Sequence, residues 1–400
     1  MISVAEARER ILAALRPTPA EIVPLAAAWN RVSATVVQAR LTQPPRDVSA
    51  MDGFSLRAAD GVLGARLRVV GTTPAGHPWP GTVGPGEAVR IFTGSIIPDG
   101  ADAILLQEDA ARNGDSVTVN EAVRTGRYIR RAGQDFASGD VLVPGGKRLN
   151  ARDIGLMAAG NHPWVAVHRR PRIAILATGD EIALPGEPIP TGGIVSSNSH
   201  ALAALVRACG GEPTVLPVAP DDRAAIAAVA DAVEGMDMLV TTGGASVGEH
   251  DLVQEALTGR GMQLDFWQIA MRPGKPLMHG RLGRVSMLGL PGNPVSALIT
   301  GILFLLPAIE RLSGLPGDPP PVSTATLGAA LDANDHRADH LRARLEQRDG
   351  ALVATAFSRQ DSAMLRLLTL ADALILRPPH APALAAGEQV PIVRLDLLGL

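Results

Sequence analysis

The chain has 400 residues, of which 46% are apolar and 19% charged, with a formal net charge of −3 and one cysteine. That length exceeds one ordinary core, so two or more domains are expected. The charge balance excludes a broad basic field for nucleic acid, and the lone Cys209 excludes intramolecular disulfides and cysteine-rich metal sites.

The opening "MISVAEARERILAAL" reads as an amphipathic helix with Ser3 and Glu6 spaced as a capping box. Glu6 and Glu9 argue against a signal or transit peptide, so the expected address is cytoplasmic. Across residues 41–140, Gly and Pro punctuate short apolar runs such as "LRVVGTTPAG" and "SVTVNEAV", the pattern of a compact β-rich domain. Within it "SAMDGF" and "FTGS" place Asp52 and Thr93 in loops. Residues 141–170 read as helical around "ARDIGLMAAG" and are expected to pack with residues 1–40 as a helical linker module.

From 171 to 315 the pattern alternates. "RIAILATG", "TVLPV", "DMLVTTGG", "LDFWQIAM" and "RVSMLGLPG" read as strands. "SHALAALVRACGG", "DDRAAIAAVADAVEG" (capped by Asp221), "EHDLVQEALTGRG" and "NPVSALITGILFLLPAIERL" read as helices. This predicts a mainly parallel sheet covered on both faces. Cys209 falls in an apolar stripe and reads as a buried structural thiol. The run "VSALITGILFLLPAI" is shorter than a membrane span of about 20 residues and contains Pro307. It is expected to be a core or subunit-interface helix, with no membrane partner. After the proline-rich "GLPGDPPP", residues 316–400 read as a small C-terminal β-barrel-like domain.

Open α/β sheets bind ligands outside the carboxyl ends of their strands. Those ends carry "ATGDE", "TTGGASVGEHD", "MRPGKP" and "LPGNP". Gly243, Gly244 and Gly248 permit close backbone approach to an anion. The helix after Pro291, Gly292 and Asn293 offers its N-terminus to phosphate, with Pro294 at its first position. Arg272 and Lys275 add positive charge, and Asp180, Glu181 and Asp251 add carboxylates. Carboxylates beside phosphate suit Mg²⁺, a hard cation that takes oxygen ligands. Gly-x-Ser-x-Gly at 244–248 also fits a nucleophile elbow, with Asp265 and His279 available downstream. Too few strands precede it for that fold, so Ser246 reads as an anion or metal contact. His250 reads as a solvent-facing neighbour.

In order, "SAMDGF", "FTG", "RRAGQD", "ATGDE", "TTGGASVGEHD", "RPGKP" and "LPGNPVSA" resemble the molybdopterin molybdotransferase family, which includes the C-terminal part of gephyrin. The resemblance spans most of the chain. It implies an elongated multi-domain protomer, in which a central molybdopterin-binding-like α/β domain is flanked by β-rich domains. It implies a homodimer and insertion of molybdate into adenylylated molybdopterin with release of AMP. It also implies Mg²⁺, contacts with other cofactor-biosynthesis proteins, and a site shared between one subunit's α/β domain and its partner's β domain.

Carried over by motif, the resemblance marks Asp52, Thr93, Glu181, Asp251 and Lys275 as catalytic, with Glu181 and Asp251 on the metal. It marks Arg131, Asp222, Pro291, Pro294 and Ser362 as substrate contacts, beside Asp180, Gly243, Gly244, Ser246, Gly248, Arg272, Gly292 and Asn293 at the rim. Three positions depart from the family pattern. Arg272 replaces a Lys, Gln134 stands where Glu is common, and Asp361 stands where a small residue is usual. Two rivals remain. One is the preceding adenylylation of molybdopterin, whose family typically reads "TTGGTG". The other is a non-catalytic scaffold of the gephyrin kind, against which the retained Asp52, Glu181, Asp251 and Lys275 argue.

Overall fold

Three six-stranded sheets dominate the computed structural model, which describes residues 1–243 and 252–398. The central sheet has the strand order Glu212–Val215, Arg172–Ala177, Met238–Thr242, Val285–Leu290, Pro276–Leu282, Met262–Gln268. The first four of these strands pair in parallel, and Pro276–Leu282 runs antiparallel to both of its neighbours. Along each strand successive side chains alternate faces. Ile173 and Ile175 enter one core with Leu202, Val206, Val295 and Phe304, while Ala174 and Leu176 enter the other with Ile226, Val253 and Leu257.

The strand Pro276–Leu282 was not expected from the sequence. It forms a hairpin with Val285–Leu290 through Gly283, whose φ of 59° only glycine adopts freely. The cap of the helix Arg223–Ala232 is Asp222 rather than Asp221, because the Asp222 carboxylate accepts the Ala225 N–H at 2.8 Å. The N-terminal helix Val4–Ala14 does not pack with the helix Ala151–Ala159. Its stripe of Ala7, Ile11 and Leu15 is buried in the α/β core with Ile309 and Leu312. Ser3 caps it by accepting the Glu6 N–H, while Glu6 pairs with Arg10, so the box is only half formed. The module around Ala151–Ala159 is instead built on the strand pairs Ala20–Pro24 with Trp164–His168 and Val37–Gln38 with Val141–Val143.

The long helix covers Pro294–Leu312, with a π turn at Gly301–Leu305 just before Pro307. Pro307 lacks an N–H and crowds the preceding turn, and the wider turn accommodates it. By length and composition this helix is apolar enough to cross a membrane, but 83% of it is buried inside the fold. It is a core helix of the protomer. Cys209 is likewise buried.

In the C-terminal region, the strands Val322–Leu327, Ala338–Arg348, Ala351–Ala356, Ala373–Arg377 and Gln389–Arg394 close on themselves as a barrel. Met271–Arg272 adds to the long strand Ala338–Arg348 in parallel and so ties the barrel to the α/β rim. The β-rich sheet of the 41–140 region has the order Ala103–Leu106, Gly53–Leu56, Glu87–Ile91, Arg66–Thr73, Ser116–Val119, Ala110–Asn113.

Candidate functional site

The parallel strands end at one rim, and there a cavity of about 480 Å³ opens. Thr178, Glu181, Ser196, Asn198, Thr242 and Gly243 line one side, with Pro276 and the run Pro291, Gly292, Asn293 and Pro294 on the other. Asn198, at the start of the helix Asn198–Ala208, stitches the rim together. Its amide donates to Thr242 Oγ1 at 2.8 Å and to the Gly292 carbonyl at 2.7 Å. Gly243 has φ of 94°, and a Cβ there would meet the Thr178 carbonyl oxygen at 2.7 Å, so only glycine turns the chain here. The Thr178 hydroxyl is buried with no hydrogen-bond partner among the described residues, an expensive state unless a ligand supplies one.

Two helices begin at this cavity, and neither Ser197 nor Asn293 caps its helix with its own side chain. The Asn293 amide is used elsewhere. It donates to Ser362 Oγ at 2.9 Å, and the Val295 N–H donates to the Ser362 carbonyl at 3.0 Å. The barrel therefore reaches the rim through Ser362. Its loop is held from beneath by Arg342, which is 1% exposed. The Arg342 guanidinium donates to the carbonyls of Met364 at 3.1 Å and Asp361 at 2.9 Å, and to Gln360 Oε1 at 3.3 Å. Arg342 and Asn198 are site residues that no motif in the sequence announces, and nothing within "ATGDE" marks Thr178 apart. Arg342 sits in a strand crowded with charged residues, Ala338–Arg348, so nothing in the local sequence marks it as buried.

The acidic side of the rim is crowded. The Glu181 carboxylate folds over Gly179, where a Cβ would lie 2.6 Å from it. Asp180 accepts the Asp221 N–H at 3.1 Å. Burial, and then the charges of Asp180 and Glu181, push the Asp221 carboxyl above its ordinary range. Among the described residues, no three His, Cys, Asp or Glu side chains converge as a complete metal cage. Oxygen donors without sulfur or imidazole suit a hard cation that takes its remaining ligands from phosphate. Asp222 is occupied as a helix cap. Gly244, Ser246, Gly248, His250 and Asp251 lie outside the described residues.

The two cations of "MRPGKP" differ in environment. Arg272 Nε and Nη2 donate to the two oxygens of Asp339 at 2.9 and 2.7 Å. Asp339 is only 4% exposed. Lys275 is fixed through its backbone, whose carbonyl accepts the Ile269 N–H at 3.0 Å.

A second cluster lies in the β-rich region. Asp52 Oδ1 accepts both the Thr93 N–H at 2.7 Å and the Thr93 hydroxyl at 2.8 Å. The Thr93 N–H above all, then its hydroxyl, hold the Asp52 carboxyl below its ordinary range, so Asp52 is an anion at neutral pH. Arg131 pairs with Asp47 in the neighbouring loop. Among the described residues, no hydrogen bond or ion pair joins residues 41–140 to the α/β rim.

His279 is only 2% exposed, which makes it a poor general base for the hydrolase alternative. Its Nδ1 meets Asp265 at 3.2 Å, and its Nε2 is buried with no hydrogen-bond partner among the described residues, which do not include Ser246. Burial also lowers its pKa.

Three family descriptions match the chain. Residues 2–160 match "MoeA N-terminal region (domain I and II)", 174–311 "Probable molybdopterin binding domain", and 324–395 "MoeA C-terminal region (domain IV)". The chain is 34% identical over 388 residues to the molybdopterin molybdenumtransferase of Nostoc sp., covering 94% of this chain and 89% of that protein. It is 34% identical over 405 residues to molybdopterin molybdenumtransferase 2 of Mycobacterium tuberculosis, covering 98% and 99%. A molybdopterin biosynthesis MoeA protein from Pyrococcus horikoshii OT3 shares the fold with a TM-score of 0.83 at 27% identity, covering 98% of this chain and all of that one.

Proposed function

Because the chain belongs to the MoeA family of molybdopterin molybdenumtransferases, we propose that it inserts molybdate into adenylylated molybdopterin and releases AMP. It is an enzyme of molybdenum cofactor biosynthesis. The observation that carries the finer reading is the rim cavity, where two helix N-termini and the Thr178 hydroxyl, unpartnered among the described residues, face the same space as Glu181. Helix N-termini and hydroxyls suit phosphate oxygens, and the carboxylate suits a cation beside them.

Glu181, with Asp251, is the proposed holder of Mg²⁺. The ion would neutralise the phosphate oxygens as charge develops on them. The chain's own residues position the rest. Asn198 keeps the rim in register through Thr242 and Gly292, and Ser362 ties the barrel to Asn293 on the cavity wall. Lys275 offers positive charge to the tetrahedral dianion. Arg272 is already satisfied by Asp339 and serves to hold the loop that carries Lys275. Such catalysis is positioning plus preorganised electrostatics. Gly243, Pro291, Gly292, Asn293 and Pro294 form the substrate wall, with Asp180 as a further substrate contact; Gly244, Ser246 and Gly248 are proposed as substrate contacts by motif alone. Asp52 and Thr93 supply the other half of the site from a homodimer partner, with Arg131 nearby. Among the described residues, the lack of polar contacts between residues 41–140 and this chain's own rim favours that arrangement.

The test is AMP release from adenylylated molybdopterin with and without molybdate. Molybdate-dependent AMP release supports the reading. AMP release independent of molybdate, or none at all, contradicts it, and ATP-dependent formation of adenylylated molybdopterin would identify the preceding step instead.

A further inference from the structure

Arg90 lies in the strand Glu87–Ile91, within "AVRIFTG". Its guanidinium stacks 5.2 Å from the ring centroid of Phe54 and 4.9 Å from that of Phe92. Nη1 donates to the Gly53 carbonyl at 3.0 Å, and Nη2 donates to Gln107 Oε1 at 2.7 Å. The Gln107 N–H in turn donates to the Asp52 carbonyl at 3.3 Å. Among the described residues, no ion pair includes Arg90.

Every one of these contacts lands beside a single pair of residues. Gly53 and Phe54 directly follow Asp52, and Phe92 directly precedes Thr93. The Asp52 and Thr93 loops come from different strands and meet through the Asp52 carboxylate. A charged side chain outside any close ion pair among the described residues, spent on the neighbours of that contact and acting through space on the Asp52 carboxylate, does more than fill space. A leucine would fill the same volume without desolvating a charge. The planar fork is what lets one side chain stack on two rings while donating along two directions. Gly53 is paired on both sides, with Ile91 and Leu106, and a Cβ there would lie 2.0 Å from the Leu105 carbonyl oxygen, so the strands pack closely at that point.

We infer that Arg90 is the positioning residue of the Asp52–Thr93 half-site, clamping the two loops so that the Asp52 carboxylate and the Thr93 donors stay aligned. The inference rests on the reading that Asp52 and Thr93 take part in the reaction. Arg90 itself need not touch substrate.

Three variants separate the possibilities. Arg90→Lys keeps the charge and the apolar stem but loses the fork. Arg90→Met keeps only the stem, and Asp52→Asn reports whether the half-site matters at all. Each full-length protein is assayed for molybdate-dependent AMP release, and hydrogen exchange of the Thr93 amide is followed in each. The expected result is a fall in kcat of about tenfold or more for Arg90→Lys, with KM for adenylylated molybdopterin within about twofold, because misplacement harms the reacting geometry more than binding. Thr93 amide exchange should rise by about tenfold in both Arg90 variants as its hydrogen bond to Asp52 loosens. Unchanged Thr93 protection, or turnover within twofold of the parent in both Arg90 variants while Asp52→Asn is inactive, overturns the inference. Normal turnover by Asp52→Asn would instead sink the half-site reading, and the exchange data would still decide whether Arg90 clamps the loops. If Arg90→Met fails to fold, Arg90→Lys decides alone.

Discussion

Replacing Arg272 or Asp339 should shift the molybdate requirement in the same direction, and that direction decides what Arg272 does. The pair is bidentate, with distances of 2.9 and 2.7 Å. Asp339 is 4% exposed, whereas the Arg272 side chain is 48% exposed. Exposed pairs contribute about 0–1 kcal/mol, and truncating one partner of a buried pair costs about 3–5 kcal/mol. One buried and one half-exposed partner fall between these limits, at about 2 kcal/mol for Arg272→Ala. Lysine can place one donor but not the fork, so Arg272→Lys should cost about 1 kcal/mol. Urea midpoints of both single variants and the double variant give the coupling, expected at 1 kcal/mol or more, whereas independent sites add within about 0.5 kcal/mol. In the AMP-release assay a loosened 272–275 loop should raise the half-saturating molybdate concentration for both Arg272→Ala and Asp339→Asn, by up to about thirtyfold for 2 kcal/mol. If Arg272 were itself the molybdate ligand, Asp339→Asn would free the fork and lower the requirement. A lowered requirement in Asp339→Asn, or additive stabilities, refutes the positioning role.

Gly243→Ala should inactivate the enzyme and destabilise the fold by about 2–3 kcal/mol, since φ is 94° and the new Cβ meets the Thr178 carbonyl at 2.7 Å; a thermal melt and an AMP-release assay check it. Cys209 is buried and its thiol is pushed up to about 12, so Ellman's reagent should label no thiol in the native protein and one in denaturant; fast native labelling would contradict the burial. The Asp52 carboxyl is held low by the Thr93 N–H first and its hydroxyl second, so ionisation persists above the folded pKa and is lost only as pH falls through it. In Thr93→Val the hydroxyl donor goes while the N–H stays, and the carboxyl ¹³C titration should move part of the way back up towards the ordinary value near 4.

The alternation of apolar runs and turn residues over 171–315 was enough to foresee the central sheet and the gathering of "ATGDE", "MRPGKP" and "LPGNP" at one edge, because burial on both faces leaves a periodic imprint. The strand Pro276–Leu282 escaped because it follows Pro273, Gly274 and Lys275 and carries His279 and Arg281 within it. The partner of the N-terminal helix escaped because an apolar stripe states that a face is buried, not against what. Most of the site's wiring was beyond local reading for the same reason. Asp339 lies 67 residues from Arg272, and Ser362 lies 69 from Asn293. The rim glycines could be read as turn formers, yet their neighbours Thr178 and Asn198 acquire meaning only when strand ends converge. Arg342 lies among charged residues on its strand and Arg90 between the buried Val89 and Ile91, and burial or aromatic stacking alone marks them out.

In the proposed function, Asp52 and Thr93 on one subunit act with Glu181 and Lys275 on another in molybdate-dependent AMP release. Mixing Asp52→Asn with Glu181→Gln, each inactive alone, tests it most directly. If the two halves meet across a homodimer, random re-association should restore about a quarter of parental activity, because half the dimers are mixed and each of those carries one intact site. No recovery in mixed dimers of two folded, individually inactive variants would contradict the shared site, and full activity of either variant alone would remove that residue from the reaction.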